Sequence, residues 1–249
     1  MSSLKEDISE FMGIPYDEVV KHVVNDKEEY LRKLWEGMFP EEVTKEKLWD
    51  YYMSDQYAAY LFWQAVEKQD EPVMPQILAN VLSSTDRGYV STGTFTSTER
   101  SILDYGCGNG MIALGLKNMG FNNITLADIP HRYNRFLKFI SDKYGLGFNF
   151  IHVDTWNEYP LGYQKYDVII CNEVLEHVWE PEITLMHLVY NLEQLGYLYL
   201  STDSNDDPSH LKKNNIFQDV EKWYETVEGM GLKRVFQDEN EVWKVFQKV

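Results

Sequence analysis

Apolar and polar positions follow two different periods along this chain. Beyond residue 91, short apolar runs bounded by turn residues indicate buried strands, and the stretches between them carry apolar positions at helical spacing. Strands are predicted at residues 101–104, 123–127, 148–153, 166–171, 197–201, 232–237 and 242–248. Helices are predicted at residues 109–119, 131–144, 181–194 and 216–230. Such alternation is typical of a parallel sheet covered by helices on both faces.

The connection between the last two predicted strands is short, since only residues 238–241 separate them. A crossover helix does not fit in so short a connection, so these strands are expected to be antiparallel. The sequence therefore predicts an α/β fold with a doubly wound, mostly parallel sheet of seven strands that ends in an antiparallel hairpin.

The first part of the chain has helical periodicity over residues 17–35, 40–68 and 72–82, and it is rich in aromatic residues. Tyr52, Tyr60 and Trp63 recur at helical spacing, which indicates that part of this aromatic set packs in a core. The alternative is a lid that lines an apolar or aromatic pocket at the carboxyl ends of the strands. Residues 1–90 are thus expected to form a helical cap, and residues 91–249 the sheet domain.

A glycine-rich turn follows the first predicted strand, in the sequence Ile-Leu-Asp-Tyr-Gly-Cys-Gly-Asn-Gly from Ile102 to Gly110. Glycine lets the backbone adopt dihedral angles closed to other residues and lets a ligand approach closely. A dinucleotide fingerprint would place its third glycine where this chain has Met111. The carboxylate of Asp104 would repel a pyrophosphate and would attract a cationic ligand. The turn therefore favours a sulfonium cofactor over a nicotinamide dinucleotide.

A second acidic residue, Asp128, ends the next predicted strand. A carboxylate at this position accepts hydrogen bonds from a ribose diol. Because the diol occurs in both kinds of cofactor, Asp128 alone does not discriminate between them.

With these motifs, the segments 152–156 and 166–178 make the chain resemble a class I S-adenosylmethionine-dependent methyltransferase, over residues 97–249. The ending Glu173-Val174-Leu175-Glu176-His177-Val178 resembles the small-molecule enzymes of that family most. The resemblance implies a Rossmann-like fold, with S-adenosylmethionine as donor and S-adenosylhomocysteine as product. The implied cofactor residues are Asp104, Gly106, Cys107, Gly108, Gly110, Asp128, Ile129, Asp154, Thr155, Asn172 and Glu173.

The resemblance also implies a role for several of these residues. The three glycines would line the methionine moiety, and Asp104 would lie near its ammonium group. Asp128 would hold the ribose hydroxyls, Ile129 would pack on the adenine, and Asp154 would accept a hydrogen bond from the adenine amino group.

Charge and composition limit the partners. The chain of 249 residues has 23 Lys and Arg against 40 Asp and Glu, a net charge of −17. This excess disfavours nucleic acids and anionic membranes as partners, because phosphate contacts dominate nucleic-acid affinity. No apolar run long enough to span a membrane and no secretory leader is found. The two cysteines, Cys107 and Cys171, suit a reducing compartment, so a cytosolic location is expected.

A hydroxyl acceptor requires a base, and two histidines are candidates. His177 follows the fourth strand at the edge of the predicted cleft, and His210 lies on the polar segment after the fifth. Either could instead be structural, as a capping residue or a lone loop histidine. The acidic segment near His210 does not match a metal-binding spacing, so no metal is expected.

The sequence thus predicts an S-adenosylmethionine-dependent methyltransferase that acts on a hydroxyl or carboxylate of a small molecule or peptide. A carboxylate acceptor needs no base, so the histidines do not decide the type of acceptor. Nitrogen and carbon acceptors stay open for the same reason. A non-catalytic subunit that binds S-adenosylmethionine is the alternative from another class, with the aromatic helices as its interface. A nicotinamide-dependent dehydrogenase is disfavoured by Met111 and Asp104.

Overall fold

The sheet has seven strands in the order β3-β2-β1-β4-β5-β7-β6. The computed structural model describes residues 3–23, 27–39, 42–69, 97–154, 160–201, 211, 220–237 and 243–249. The strands are β1 (Ile102–Tyr105), β2 (Ile124–Asp128), β3 (Asn149–His152), β4 (Tyr166–Asn172), β5 (Leu192–Ser201), β6 (Leu232–Gln237) and β7 (Trp243–Lys248). Strands β1 to β5 pair in parallel, whereas β7 is antiparallel to both β5 and β6. The predicted fold class, including the terminal antiparallel hairpin, is confirmed.

The described helices are α1 (Leu4–Met12), α2 (Tyr16–Val20), α3 (Lys27–Met38), α4 (Lys45–Met53), α5 (Asp55–Glu67), α6 (Met111–Asn118), α7 (Arg132–Tyr144), α8 (Pro181–Asn191) and α9 (Val220–Gly229). Among them, none is long and apolar enough to cross a membrane. Successive residues of β1 belong to two different hydrophobic clusters. Ile102 lies in the cluster that includes residues of α1, α5 and α7, and Leu103 lies in the cluster that includes residues of α8. The sheet is therefore covered on both faces.

The predicted helix over residues 17–35 is wrong, because α2 and α3 are separate helices there, and α1 was not predicted. Helix α1 begins at a capping box, in which the Ser3 hydroxyl accepts from the Glu6 N–H and the Glu6 carboxylate accepts from the Ser3 N–H. It ends at Gly13, whose φ of 70° is the left-handed conformation that terminates many helices. These end signals of α1 were readable in the sequence, although its apolar periodicity was not recognised.

The predicted helix over residues 40–68 is also wrong, since Ser54 divides it into α4 and α5. Ser54 has an extended backbone, with ψ of 149°, and its hydroxyl accepts from the N–H of Tyr57 at 3.1 Å. A serine at an N-cap satisfies a backbone donor that a continuous helix would pair by itself. The predicted helix over residues 72–82 lies outside the described residues.

In the sheet domain the differences are smaller. Helix α8 ends at Asn191, not at residue 194, and β5 begins at Leu192, not at residue 197. The early start of β5 includes Leu195, which has a positive φ of 66°. A register shift between Tyr166 and Val168 in the pairing of β4 with β5 lets the extra residues join the strand.

The N-terminal helices pack directly on α7. Phe62 of α5 and Phe11 of α1 contact Phe136 of α7, with ring centroids 5.3 and 5.5 Å apart. The buried carboxylate of Asp7 accepts hydrogen bonds from Lys143 Nζ and from the hydroxyl of Tyr144, both at 2.8 Å. The described N-terminal helices therefore share a hydrophobic core with the sheet, and the expected domain boundary at residues 90 and 91 lies outside the described residues.

Candidate active site

The glycine turn between β1 and α6 has three residues with left-handed backbone. Gly106, Gly108 and Gly110 have φ values of 68°, 50° and 69°, a region that costs other residues about 1–2 kcal/mol. The N–H of Gly106 donates to the carbonyl of Ala127 at 2.7 Å, and that of Gly110 donates to the carbonyl of Cys107 at 2.7 Å. The turn is thus anchored both to itself and to β2.

The surroundings of these glycines differ. A Cβ atom at Gly106 would clash with the side chain of Val174, and one at Gly110 would lie 2.7 Å from Leu137. At Gly108, the nearest described atom is the carbonyl oxygen of Gly106, 3.9 Å away. Gly106 and Gly110 are therefore required by packing within the protein, whereas Gly108 faces open space that a ligand can fill.

Asp104 is the carboxylate below this turn, and only 2% of it is exposed. Burial raises its pKa to about 7, the charge of Asp128 adds to the rise, and a hydrogen bond from the backbone of Ala113 opposes it. Its Oδ2 atom has no hydrogen-bond partner among the described residues. Since a cation would stabilise the ionised form, this carboxylate is suited to receive an ammonium group.

Asp128 ends β2 and is held by backbone donors. Its Oδ2 accepts from the N–H of Gly108, and its Oδ1 accepts from the N–H of Ile129, both at 2.7 Å. A carboxylate has about four lone-pair sites, so Asp128 keeps acceptor capacity for a ligand beyond these two hydrogen bonds. Asp154 follows β3 and is exposed, and Thr155 lies outside the described residues.

The end of β4 carries Asn172 and Glu173. The Oδ1 atom of Asn172 is buried without a hydrogen-bond partner in the described part of the chain. Glu173 has a positive φ of 54°, which is rare outside glycine and is often found at functional sites. Its N–H donates to the carbonyl of Ser201 at 3.1 Å, and its carboxylate accepts from the Ser201 hydroxyl, which ties β4 to β5.

His177 lies in the turn that follows β4, where its N–H donates to the carbonyl of Val174 at 2.9 Å. Its imidazole meets the ring of Tyr52 from α4 edge to face, with centroids 6.2 Å apart and planes at 75°. Trp179 of the same turn packs on a cluster formed by Trp35, Phe39, Leu48, Tyr51 and Leu211. The aromatic helices thus cover this turn, whereas His210 lies outside the described residues.

A second contact joins the N-terminal helices to the glycine turn. The Nδ2 of Asn109 donates to Oε1 of Gln64 on α5 at 3.0 Å, and Gln64 Nε2 donates to the Tyr60 hydroxyl at 3.2 Å. The sequence analysis did not single out Asn109 or Gln64. Asn109 lies inside the glycine motif, so its position was a usable signal, but the pairing with Gln64 depends on tertiary structure alone.

Both cysteines are buried and free. Burial raises the pKa of the Cys107 thiol well above its usual range, and the carboxylates of Asp128 and Asp104 add to the rise. The Cys171 thiol is raised in the same way by burial and by the charges of Glu176, Asp104 and Glu173. Thiols of raised pKa are poor nucleophiles, so neither cysteine is suited to covalent chemistry. Within the described ranges no three His, Cys, Asp or Glu side chains cluster to hold a metal.

These residues fit S-adenosylmethionine. Asp104 offers a buried carboxylate to an ammonium group. Gly108 leaves space beside the glycine turn, and Asp128 presents acceptor oxygens to a diol. All three groups lie at the carboxyl ends of adjacent strands, where ligands bind in open α/β sheets.

Comparisons with known proteins identify the family of the chain. A methyltransferase domain matches residues 73–240, more than half of the chain. A ubiquinone biosynthesis O-methyltransferase of Rickettsia typhi is 33% identical over 110 residues, 44% of each chain. The chain thus spans less than half the length of the curated relatives it matches.

Two solved structures share the fold. An O-methyltransferase family protein from Burkholderia thailandensis has a TM-score of 0.59 and 13% identity, over 94% of this chain and 72% of that one. The 1,6-didemethyltoxoflavin-N1-methyltransferase of the same organism, with bound 1,6-didemethyltoxoflavin and S-adenosylhomocysteine, has a TM-score of 0.56 and 11% identity over 84% and 92%. From its matching domain and its fold, the chain belongs to the class I S-adenosylmethionine-dependent methyltransferases.

Proposed function

We propose that this chain methylates a hydroxyl group of a small molecule or a peptide, bound beneath the N-terminal aromatic helices. The observation that carries the proposal is the contact of Tyr52 with His177. It sets an aromatic surface against a histidine in the turn that follows β4, one strand from the glycine cradle. An acceptor between these elements would lie beside the donor and away from water.

The donor S-adenosylmethionine supplies an electrophilic methyl group whose leaving group is a neutral sulfide. In our proposal Gly108 accommodates its methionine part, Asp104 holds the ammonium, and Asp128 holds the ribose hydroxyls. Ile129 packs on the adenine, and Asp154 and Thr155 contact its edge. The open direction at Gly108 and the remaining acceptor capacity of Asp128 support this arrangement.

The cleft contributes position and charge. Methyl transfer needs the nucleophile, carbon and sulfur nearly in line, so fixing the acceptor supplies much of the acceleration. His177 would take the hydroxyl proton as the oxygen attacks, because a neutral imidazole is a base near neutral pH. Helices α4 and α5 would keep water out, which strengthens electrostatic interactions inside the cleft.

The acidic groups near the end of β4 favour a hydroxyl over a carboxylate acceptor. Asp104, Glu173 and Glu176 all act on the Cys171 thiol, so their charges converge there. A carboxylate acceptor would bring a further negative charge into this region and would be repelled, because charge interactions are strong where the protein excludes water. Relatives named as O-methyltransferases support an oxygen acceptor. The N1-methyltransferase with the same fold keeps nitrogen as the alternative.

The test is transfer of an isotopically labelled methyl group from S-adenosylmethionine into a metabolite and peptide extract, analysed by mass spectrometry. We expect a labelled methyl ether that survives mild alkali. An alkali-labile ester or an N-methyl product would contradict the hydroxyl assignment. Methyl transfer that is equal with and without the added protein would contradict catalysis altogether.

The role of His177 is tested with His177→Ala and His177→Gln. General-base catalysis typically contributes 10²–10⁴-fold, so kcat should fall about a hundredfold or more in both variants. The affinity for S-adenosylhomocysteine should stay within about threefold, since the imidazole touches the acceptor and not the donor. Unchanged kcat in both variants would leave His210 as the candidate base, or would show that the acceptor needs none.

A further inference from the structure

A buried histidine outside the predicted site contacts the ribose carboxylate. His131 lies three residues after Asp128 and is only 2% exposed. It is the N-cap of α7, where its Nδ1 accepts a hydrogen bond from the N–H of Asn134 at 3.0 Å. Histidine is an unusual N-cap, because Ser, Thr, Asp and Asn serve this purpose with a shorter side chain. Its extra length carries the ring on toward Asp128.

The cap fixes the tautomer of this histidine. A backbone N–H can only donate, so Nδ1 of His131 must be the unprotonated nitrogen, and the ring proton must be on Nε2. Nε2 lies 3.6 Å from Oδ2 of Asp128. This distance is longer than a hydrogen bond. The Nε2–H nevertheless faces the carboxylate inside a buried site, where polar contacts are least screened.

Asp128 is surrounded by donors on its protein side. Gly108 and Ile129 donate to it from the backbone, and the Cys107 thiol also bonds to it. Asn134 approaches the Cys107 sulfur with its Nδ2, at 4.0 Å. Asn134 therefore contacts both His131 and Cys107, so the first turn of α7 and the carboxylate of Asp128 form one connected polar network.

We infer that His131 is a positioning residue for donor binding. Its Nε2–H, directed at Oδ2, holds the Asp128 carboxylate in the rotamer that turns its remaining acceptor capacity toward the ribose diol. The histidine itself does not touch the cofactor. The inference rests on the proposed ribose role of Asp128, and it adds a function to a residue that would otherwise be only a helix cap.

The test separates the cap from the contact. In His131→Asn the asparagine carbonyl can still accept from the Asn134 N–H, while the shorter side chain no longer reaches Asp128. The melting temperature should therefore stay within about 2 °C of wild type. The affinity for S-adenosylhomocysteine, measured by calorimetry, should fall about three- to tenfold, the range of one ordinary hydrogen bond, because the 3.6 Å contact is long for a bond to a charged group.

Two further variants make the result specific. In His131→Ala both the cap and the contact are lost, so the melting temperature should fall by about 2–4 °C as well as the affinity. In an Asp128→Asn background, His131→Asn should change the affinity by less than about twofold, because the group that it positions is already altered.

The outcomes are distinguishable. Absence of S-adenosylhomocysteine binding to the wild-type protein would contradict the donor site itself. Wild-type affinity in His131→Asn, or an equal loss with and without Asp128, would overturn the positioning role while leaving the proposed function intact.

Discussion

Gly108→Ala is the substitution that most sharply separates donor binding from folding. The alanine methyl group would project into the open space beside the glycine turn, 3.9 Å from its nearest described neighbour. The folded protein alone would therefore suffer no clash, only the cost of a left-handed alanine. Bound donor would occupy the same space in our account, so the methyl group would exclude it or displace it.

The structure provides the magnitudes and two matched controls. A left-handed alanine costs about 1–2 kcal/mol, which lowers the melting temperature of a chain of this size by about 2–8 °C. Gly13→Ala carries the same cost, since Gly13 has a φ of 70° and an added Cβ atom would have no described atom within 4 Å. Gly106→Ala adds a clash with Val174, so it should lose more stability than either.

The donor should respond differently. Overpacking by a methyl group costs about 1–3 kcal/mol, which corresponds to a five- to 150-fold weaker affinity for S-adenosylhomocysteine in Gly108→Ala. Gly13→Ala should bind the ligand like the wild type. The assays are thermal unfolding and calorimetric titration on the same samples. The reasoning is refuted if Gly108→Ala keeps wild-type affinity, or if Gly13→Ala loses affinity to the same extent.

Three further outcomes are expected. Burial raises the pKa of Asp104 to about 7 from 3.8, so the folded state binds a proton more tightly than the unfolded state, and wild-type stability rises as the pH falls from 8 toward 4. At pH 8, Asp104→Asn should therefore be more stable than wild type by a few kcal/mol, at about 1.4 kcal/mol per pKa unit. In thermal unfolding this difference should close toward pH 4. The variant should also bind the donor more weakly. Tyr52→Ala should lower kcat about tenfold, through the lost contact with His177, while Tyr52→Phe keeps it and both bind S-adenosylhomocysteine normally; weaker ligand binding would contradict this. Gln64→Leu removes the acceptor of the Asn109 amide and should weaken that binding about fivefold in calorimetry, and an unchanged affinity would show that α5 does not support the turn.

The sheet was predictable because its signals are local. Each buried strand is a short apolar run that ends at turn residues, and the brief connection before β7 dictates the antiparallel hairpin. The positions of Asp104 and Asp128 follow from the same runs, since both acids come at strand ends. The glycine motif then predicts a cofactor edge, and parallel strands bring these groups together.

The N-terminal helices were less predictable, and so was their relation to the site. Continuous periodicity concealed the end of α2 at Val20 and the break at Ser54, because a helix end is decided at single positions that a periodic pattern does not register. The contacts of Tyr52 with His177 and of Gln64 with Asn109 join residues far apart in the chain. Tertiary packing of the N-terminal helices on the sheet domain brings these pairs together.

The glycines show where sequence reasoning groups residues that the structure separates. The motif predicted one role for three positions, lining the methionine part of the donor. The described neighbours of Gly106 and Gly110 are Val174 and Leu137, so packing adds to the left-handed backbone as a reason for glycine there. At Gly108, close approach of the donor is the proposed additional reason. The distinction depends on side chains from the turn after β4 and from α7, which no local pattern encodes.

The central claim is that the cleft at the ends of β1 and β2 binds the methyl donor through Asp128. Calorimetric titration of S-adenosylhomocysteine into the wild-type protein and into Asp128→Ala tests it most directly. The account predicts one ligand per wild-type chain and an affinity at least thirtyfold weaker in Asp128→Ala, the loss of about 2 kcal/mol expected when a carboxylate no longer accepts from a ribose diol. Equal affinity in the two proteins would contradict it.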